Sequence, residues 1–294
     1  MRVLVTGATG FLGREVVRCL TAQHSVVAVG GRHAPPGGIV LDLRRPGVWR
    51  PLLAEHRPDW IVHLAAYREP DFCEEHPEET RALNTAPVLE LMRELPATTR
   101  LLFVSTDYVF DGDHPPYRED SPRRAVNVYG WSKIEAEDAV LSRPDSIVLR
   151  IPLLVGSGPT FQSSGFLFQI VSALQSPAPQ AADAVLRRFP TWIRDVAEAI
   201  GFLIERGYAG VIHYSGAEAM TRYDMIQAAA AVLGWEAGHI RPSADVVPRR
   251  AARPRDSQLA TDRIRALGFA QFTPFAEVVR AFARDFPEAR ATRR

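Results

Sequence analysis

Lysine is almost absent from this sequence. Of its 35 basic residues, 34 are arginines and only Lys133 is a lysine. Arginine stays protonated and planar, whereas lysine is a compact donor whose pKa responds to its surroundings. The one lysine therefore marks a position where an ammonium group is chemically useful. An excess of either charge is lacking too: the net charge of +1 gives no electrostatic case for nucleic acid or an anionic membrane as the main partner.

Cysteine and long apolar runs are also scarce. Cys19 and Cys73 lie in unrelated segments without CxxC or metal-ligand spacing, so we expect two free thiols in a reducing compartment and no metal site. No apolar run approaches the ~18 residues of a transmembrane helix. A strand-like segment follows Met1 directly, so we expect no signal peptide and a cytoplasmic protein.

Short apolar runs alternate with helical patterns over the first half of the chain. The 294 residues suffice for one large domain, or for a domain of roughly 200 residues with a smaller companion. Strands are predicted at residues 2–6, 25–31, 38–43, 60–66, 101–105 and 146–152. This alternation predicts an α/β fold with a Rossmann-type doubly wound parallel sheet and ligands at the carboxyl ends of its strands.

The alternation breaks down after Pro152. Residues 176–184 predict a mobile loop, residues 187–216 a strand-like start, a helix and a late strand, and residues 287–294 a frayed basic tail. Two further amphipathic helices lie between the late strand and the tail. We therefore expect a cofactor-binding Rossmann domain at residues 1–152. Residues 153–294 are expected to form mainly a smaller C-terminal α/β substrate lobe, with some segments returning to the first domain.

The segment GATGFLG, between the first strand and the first helix, predicts a dinucleotide site. Gly7, Gly10 and Gly13 have the spacing GxxGxxG, which brings backbone and helix N–H groups close to a pyrophosphate. A tight turn without a ligand is the alternative. After the second strand, where a carboxylate would bind the 2′-hydroxyl of NAD, the chain has Arg32 and His33. An arginine suits a 2′-phosphate and favours NADP(H) over NAD(H), although Arg32 also fits a plain surface position.

The next two strands carry further candidates. Asp42, at the end of the third strand, is a candidate contact to the adenine amino group. Ala65 and Ala66, after the fourth strand, are small enough for a cofactor to pass close by, and His63 is interpreted as a packed core histidine. The segment Glu74–Glu79 predicts an acidic first helical turn rather than an ion site, because contiguous residues at a helix start cannot all face one ion.

The stretch from residue 101 to residue 133 holds a hydroxyl, a phenol and an ammonium. Thr106 ends an apolar strand, and strand alternation predicts that its neighbour Ser105 faces the other side. Tyr129 and Lys133 are four residues apart and share a helix face, where an ammonium would lower the pKa of the phenol from its reference of about 10. Such a phenol is a proton donor near neutral pH. Solvated side chains on a helix surface are the alternative.

Five segments together resemble the extended short-chain dehydrogenases: TGATGFLG, STDYVFDG, NVYGWSK, VLRIP and RFPTWIRDVAEAI. The nearest subgroup is the dTDP-4-dehydrorhamnose reductase family, and the regulatory beta subunit of methionine adenosyltransferase looks like a relative of that reductase. The resemblance covers nearly the whole chain and is weakest at residues 157–185. It implies hydride transfer from the nicotinamide of NADP(H) to a keto carbon of a nucleotide sugar.

The resemblance also implies roles for particular residues. Tyr129 would donate the proton, Lys133 would lower its pKa and bind the nicotinamide ribose, and Thr106 would bond the nascent alkoxide. Asp107 and Tyr108 would lie near the substrate, whose pyrophosphate would meet Arg188, Arg253 and Arg255, although solvated arginines are the alternative. The full predicted cofactor set is Gly7, Thr9, Gly10, Phe11, Leu12, Gly13, Arg32, His33, Asp42, Leu43, Ala65, Ala66, Arg68, Asn84, Tyr129 and Lys133.

Two segments, AAYREPD and RPRDSQL, look closer to the regulatory beta subunit than to the usual reductase. Two hypotheses therefore stand at this point. The first is an NADPH-dependent reductase of a 4-keto-6-deoxy nucleotide sugar. The second is an NADP-binding regulatory subunit of a partner enzyme such as methionine adenosyltransferase. A homodimer and a regulatory complex both stay open.

Overall fold

The computed structural model describes residues 1–245 and 249–291. Its strands, in chain order, are β1 (Arg2–Thr6), β2 (Ser25–Gly30), β3 (Ile39–Val40), β4 (Trp60–His63), β5 (Arg100–Thr106), β6 (Ile147–Ile151), β7 (Leu154–Val155), β8 (Gln180–Asp183), β9 (Thr191–Trp192), β10 (Gly210–His213) and β11 (Ile240–Ser243).

Helices alternate with most of these strands. They are α1 (Gly13–Thr21), α2 (Trp49–His56), α3 (Pro70–Glu75), α4 (Pro77–Asn84), α5 (Ala86–Glu94), α6 (Val128–Leu141), α7 (Phe166–Gln175), α8 (Ile193–Glu205), α9 (Arg222–Leu233), α10 (Asp262–Ala266) and α11 (Phe275–Asp285). None of the described helices combines the length and the apolar character that crossing a bilayer requires.

Seven parallel strands form the central sheet, in the order β10-β6-β5-β4-β1-β2-β3. Its inner strands are rich in Val, Ile and Leu because helices cover both faces: α1 and α8 pack on one, and α2, α5 and α6 pack on the other. The strand order reverses between β1 and β4, where the carboxyl ends of the strands open into a crevice. The predicted doubly wound Rossmann-type sheet is confirmed.

The segment from α8 to β10 belongs to this sheet. β10 pairs in parallel with β6, with Gly210 opposite Ile147 and His213 opposite Arg150. The hydrophobic stripe of α8 packs in the same core cluster as α1. We expected these elements in the C-terminal lobe. The spacing of apolar residues indicates a strand or a helix, but it does not show which strand or helix it packs against. The division of the chain at residue 152 stays a prediction.

One local prediction is wrong, and a second is correct only in part. Residues 180–183, in the expected mobile loop, form β8, which pairs in parallel with β11 some sixty residues later. The predicted acidic first helical turn is found at Glu78 and Glu79, in the first turn of α4, whereas Glu74 and Glu75 end α3. Proline suits a first helical position, so it starts a new helix rather than continuing the old one.

The C-terminal lobe has a core of its own, in which α7, α9 and α11 pack together. The chain end is attached to this core as far as it is described. The backbone N–H of Ala291 donates to the carbonyl of Leu233 at 3.1 Å, and the indole of Trp235 donates to the carbonyl of Ala289 at 2.8 Å. The predicted frayed tail is therefore wrong for residues 287–291. Its last three residues, 292–294, lie outside the described residues.

Candidate active site

The turn between β1 and α1 forms a glycine cradle. Gly7 has a φ of +66°, which favours glycine, and a Cβ there would lie 2.9 Å from the backbone nitrogen of Ala65. A Cβ on Gly13 would lie 2.1 Å from the carbonyl oxygen of Gly7. Among the residues that the structure describes, no side chain caps the N-terminus of α1, and Leu12 and Gly13 at this end border the crevice. Close backbone approach and free helix N–H groups fit the pyrophosphate of a dinucleotide.

One cavity of 780 Å³ extends from this cradle to the C-terminal lobe. Most of the predicted site residues line it: Gly7, Thr9, Gly10, Phe11, Leu12, Gly13, Arg32, Asp42, Leu43, Ala65, Ala66, Arg68, Thr106, Asp107, Tyr108, Tyr129, Lys133, Arg188 and Arg253. Residues predicted as cofactor, catalytic and substrate contacts therefore share one continuous space.

Three predicted residues are not among the described residues that line the cavity: His33, Asn84 and Arg255. His33 and Arg255 have exposed side chains. Asn84 is buried, and its amide binds both backbone groups of Tyr67, accepting from the N–H at 2.7 Å and donating to the carbonyl at 2.9 Å. Asn84 thus fixes the backbone of a lining residue from behind. Direct contacts of these three residues with a ligand stay predictions.

Asp42 lines the cavity close to Arg44, a partner that sequence reasoning missed. Its two carboxylate oxygens accept from Nε and Nη2 of Arg44 at 2.9 and 2.8 Å. These hydrogen bonds lower the pKa of Asp42 to about 2. Arg44 also donates to the hydroxyl of Tyr67 at 3.4 Å, and it lines the cavity together with Arg32. The sequence LRR directly after Asp42 could have indicated that an arginine pairs with this carboxylate.

Thr106, Tyr129 and Lys133 come together from two elements. Thr106 ends β5, and the other two residues lie in the first two turns of α6. Asn127 caps this helix, because its side-chain oxygen accepts from the N–H of Gly130 at 2.9 Å. Lys133 is 3% exposed, and its Nζ lies 3.9 Å from the centre of the Phe103 ring.

Burial sets the acidity of both ionisable groups on α6. It lowers the pKa of Lys133 to about 7, against the opposing charge of Glu137. Burial also raises the pKa of the Tyr129 phenol above its ordinary value; the Thr106 hydroxyl opposes this rise, and the charge of Asp107 adds to it. The predicted lowering of the phenol pKa by Lys133 is therefore not found, because burial prevails and a lysine with a pKa of about 7 is only half charged at neutral pH.

Neither His63 nor Ser105 was predicted to take part in the reaction. His63 is buried between Trp49 and Phe103, with ring-centre distances of 6.0 and 5.9 Å, so the interpretation as a core histidine is confirmed. Ser105 does border the cavity, and within the described structure its buried hydroxyl has no hydrogen-bond partner. Strand alternation alone did not separate Ser105 from Thr106.

Arginines gather at the other end of the cavity. Arg188 donates to the carbonyl of Pro254 at 3.0 Å, and Arg253 donates to Asp71 at 3.0 Å. Arg222 and Arg249 line the same end and were missed. Arg222 stands in the first turn of α9, where the helix dipole disfavours a cation, and this position was a signal available in the sequence.

Comparison with known proteins identifies the class of this protein. It is an NAD(P)-dependent reductase of the short-chain type, and the predicted class is confirmed. The model of the family described as RmlD substrate binding domain matches residues 1–287. This chain therefore belongs to that family.

Two relatives and one solved structure are informative. The chain is 37% identical over 282 residues to methionine adenosyltransferase 2 subunit beta of Bos taurus, covering 93% of this chain and 84% of the relative. It is 36% identical over 290 residues to a probable dTDP-4,6-dihydroxy-2-methyloxan-3-one 4-ketoreductase of Streptomyces antibioticus, covering 95% and 94%. The dTDP-4-dehydrorhamnose reductase of Bacillus anthracis, in complex with NADP, is similar in fold, with a TM-score of 0.86, 23% identity, and 97% and 99% coverage.

Proposed function

We propose that this protein reduces the keto group of a 4-keto-6-deoxy nucleotide sugar with NADPH. The observation that carries the proposal is one cavity in which Thr106, Tyr129 and Lys133 lie between a glycine cradle and a group of arginines. A cofactor at the cradle and a nucleotide at the arginines would bring the reacting atoms to this set of three residues. The Streptomyces antibioticus relative, a probable ketoreductase of a dTDP sugar, supports the same reaction.

Each of the three side chains has a defined task. The cofactor, when bound, supplies the hydride to the keto carbon. Tyr129 donates its phenolic proton to the keto oxygen, and Thr106 holds that oxygen by a hydrogen bond. Lys133, charged in about half of the molecules at neutral pH, stabilises the phenolate that Tyr129 leaves behind and holds the nicotinamide ribose.

The cofactor is NADP(H). Arg32 and Arg44 stand at the end of the cavity where the adenosine ribose of a cofactor on the glycine cradle would lie, and Arg68 lines the cavity as well. Guanidinium groups bind a 2′-phosphate through charge-assisted hydrogen bonds. The NADP complex of the Bacillus anthracis reductase, a protein of the same fold, agrees with this assignment.

The substrate is a nucleoside diphosphate sugar. Four guanidinium groups line the end of the cavity away from the cradle: those of Arg188, Arg222, Arg249 and Arg253. Asp71 pairs with Arg253, and Glu69 beside it pairs with Arg68 at 3.6 Å, so Asp107 and Asp183 are left to face three arginines. Such an excess of positive charge suits a pyrophosphate.

NADPH oxidation with dTDP-4-dehydrorhamnose tests the reaction. We expect turnover by the wild-type protein and a loss of roughly 10²- to 10⁴-fold in Tyr129→Phe, because the phenolic proton is gone. Tyr223→Phe, outside the cavity-lining set, is the matched control and should keep its activity. The proposal fails if no keto nucleotide sugar is reduced, or if Tyr129→Phe turns over as fast as the wild type.

A regulatory role is the second candidate, and the 37% identity to the beta subunit of methionine adenosyltransferase 2 favours it. Co-purification with the methionine adenosyltransferase of the same organism, with and without NADP, tests it. A stable complex together with absent turnover would support this role, and failure to form a complex counts against it. Cytoplasmic localisation and a homodimer stay predictions.

A further inference from the structure

Asp107 is a buried carboxyl group next to Thr106. It is 3% exposed and borders the cavity in the 3₁₀ turn Asp107–Val109 that follows β5. One oxygen accepts from the Thr106 hydroxyl at 3.2 Å, and the other accepts from the hydroxyl of fully buried Ser257. Burial outweighs these hydrogen bonds and raises the pKa of Asp107 to about 6. Both protonation states are therefore populated near neutral pH.

The protonation state of Asp107 decides what Thr106 can do. A hydroxyl has a single proton, and Thr106 gives its proton to the carboxylate of Asp107. Thr106 also accepts a hydrogen bond from the N–H of Tyr108 at 3.2 Å. While Asp107 is ionised, the Thr106 proton is not available to a phenolate or an alkoxide, and the negative charge of Asp107 raises the pKa of Tyr129. Protonation of Asp107 removes both obstacles.

Other charged and titratable groups face this pair from several elements. Arg188, which precedes β9, favours the carboxylate form of Asp107, and Tyr108 lies in the same turn. Cys73 of α3 also acts on the phenol of Tyr129. Lys133 titrates on its own with a pKa of about 7. A pyrophosphate at the arginines would take up the charge of Arg188 and so raise the pKa of Asp107 further.

The geometry points to Asp107 as a positioning residue that works in its neutral form: once protonated, it frees the single Thr106 proton for a hydrogen bond to the phenolate of Tyr129 or to the nascent alkoxide. This inference rests on the proposed function. In the step, the hydride that bound NADPH would supply, becoming NADP⁺ as its own C–H bond breaks, forms a C–H bond with the keto carbon, and the C=O π pair moves to oxygen. The O–H bond of Tyr129 breaks, and its proton completes the alcohol. Asp107 keeps its own proton throughout.

The test compares kcat from pH 5 to pH 8.5 for the wild type, Asp107→Asn and Ser257→Ala, with NADPH and dTDP-4-dehydrorhamnose. The amide introduced by Asp107→Asn cannot ionise, so the ratio of variant to wild-type kcat should rise about tenfold per pH unit above pH 6. The decline caused by Lys133 is common to both proteins and cancels in the ratio. Ser257→Ala keeps the carboxyl of Asp107 but removes a hydrogen bond that favours its charge, so the decline of this variant should move to higher pH.

A ratio that stays constant with pH overturns the inference. So does an Asp107→Asn protein that binds NADPH normally but is inactive at every pH, because the carboxyl would then be needed for another task. These outcomes leave the proposed reductase function standing, provided that the wild type turns over and Tyr129→Phe does not. A wild type without turnover at any pH contradicts the proposed function itself, and this inference with it.

Discussion

Lys133 carries its ammonium in surroundings that disfavour charge. The side chain is 3% exposed and lies over the ring of Phe103. Burial, and after it the charge of Lys133, lowers the pKa of neighbouring His63 to about 3. The spacing of Tyr129 and Lys133 was readable in the sequence because it is local. The burial that sets the pKa values of both groups was not, because the rings beside them, Phe103 at Lys133 and Tyr108 at Tyr129, lie on other elements.

We expect Lys133→Met to stabilise the protein by roughly 2–4 kcal/mol at pH 6. The folded pKa of about 7 lies below the unfolded reference of about 10.4, so the unfolded state binds more protons between these values. The penalty for the buried lysine is therefore complete below pH 7 and disappears towards pH 10. Urea unfolding at pH 6 and pH 9.5 measures this difference. Equal unfolding free energies of variant and wild type at pH 6 would contradict the prediction, and Lys133→Arg, which keeps the charge, is the control.

Two side chains bind the N-terminus of α6: Asn127, its N-cap, and Glu74, which accepts from the N–H of Val128 at 3.0 Å. Asn127 caps the helix through Oδ1, and Nδ2 of the same amide donates to the carbonyl of Ala252 at 2.8 Å. The neighbouring Ala251 donates its N–H to Asp71 of α3 at 2.9 Å. The segment that carries Arg253 is therefore attached to the helix that carries Tyr129. The sequence predicts a helix that carries Tyr129 and Lys133, but not its attachment to a segment 125 residues later than Asn127.

Asn127→Ala should lower the free energy of unfolding by about 1–2 kcal/mol, because it removes both the cap and the bond to Ala252. Asn127→Asp keeps a capping oxygen and places a negative charge at a helix N-terminus, so it should recover about half of that loss or more. Denaturant unfolding of the three proteins is the measurement. Equal destabilisation by both substitutions would show that the cap contributes little.

Over the whole molecule, the two sides of the cavity differ in how far they could be predicted. The cofactor side is built from strand ends and turns within the first half of the chain, where alternation and the glycine spacing indicate the fold and most of the lining. The substrate side combines Asp107 with arginines at positions 188, 222, 249 and 253. Only tertiary packing brings these segments together, so sequence patterns indicated Arg188 and Arg253 among these four arginines and gave no indication of the other two.

A buried ion cluster connects the sheet with α6 behind the cavity. Arg150 of β6 is 2% exposed and donates to both oxygens of Glu137 on α6 at 3.0 and 2.7 Å. It also contacts Nε2 of His213 on β10 at 3.2 Å and donates to the carbonyl of Glu119 at 3.2 Å. Arg123 donates to Glu137 from the other side at 3.0 Å. One guanidinium thus holds two strands, a helix and a loop together.

Arg150→Met should lower the free energy of unfolding by about 3–5 kcal/mol, because it leaves the fully buried carboxylate of Glu137 without its main partner. Arg123→Met is the matched control: Arg123 is 23% exposed and shares its charge with Asp138, so its loss should cost about 1 kcal/mol. A second variant, Arg150→Met with Glu137→Met, removes the unpaired carboxylate as well and should recover a large part of the lost free energy of unfolding. Urea unfolding at pH 7 separates these cases. If the two single arginine variants are equally stable, Arg150 does not hold the sheet and α6 together in the way the structure implies.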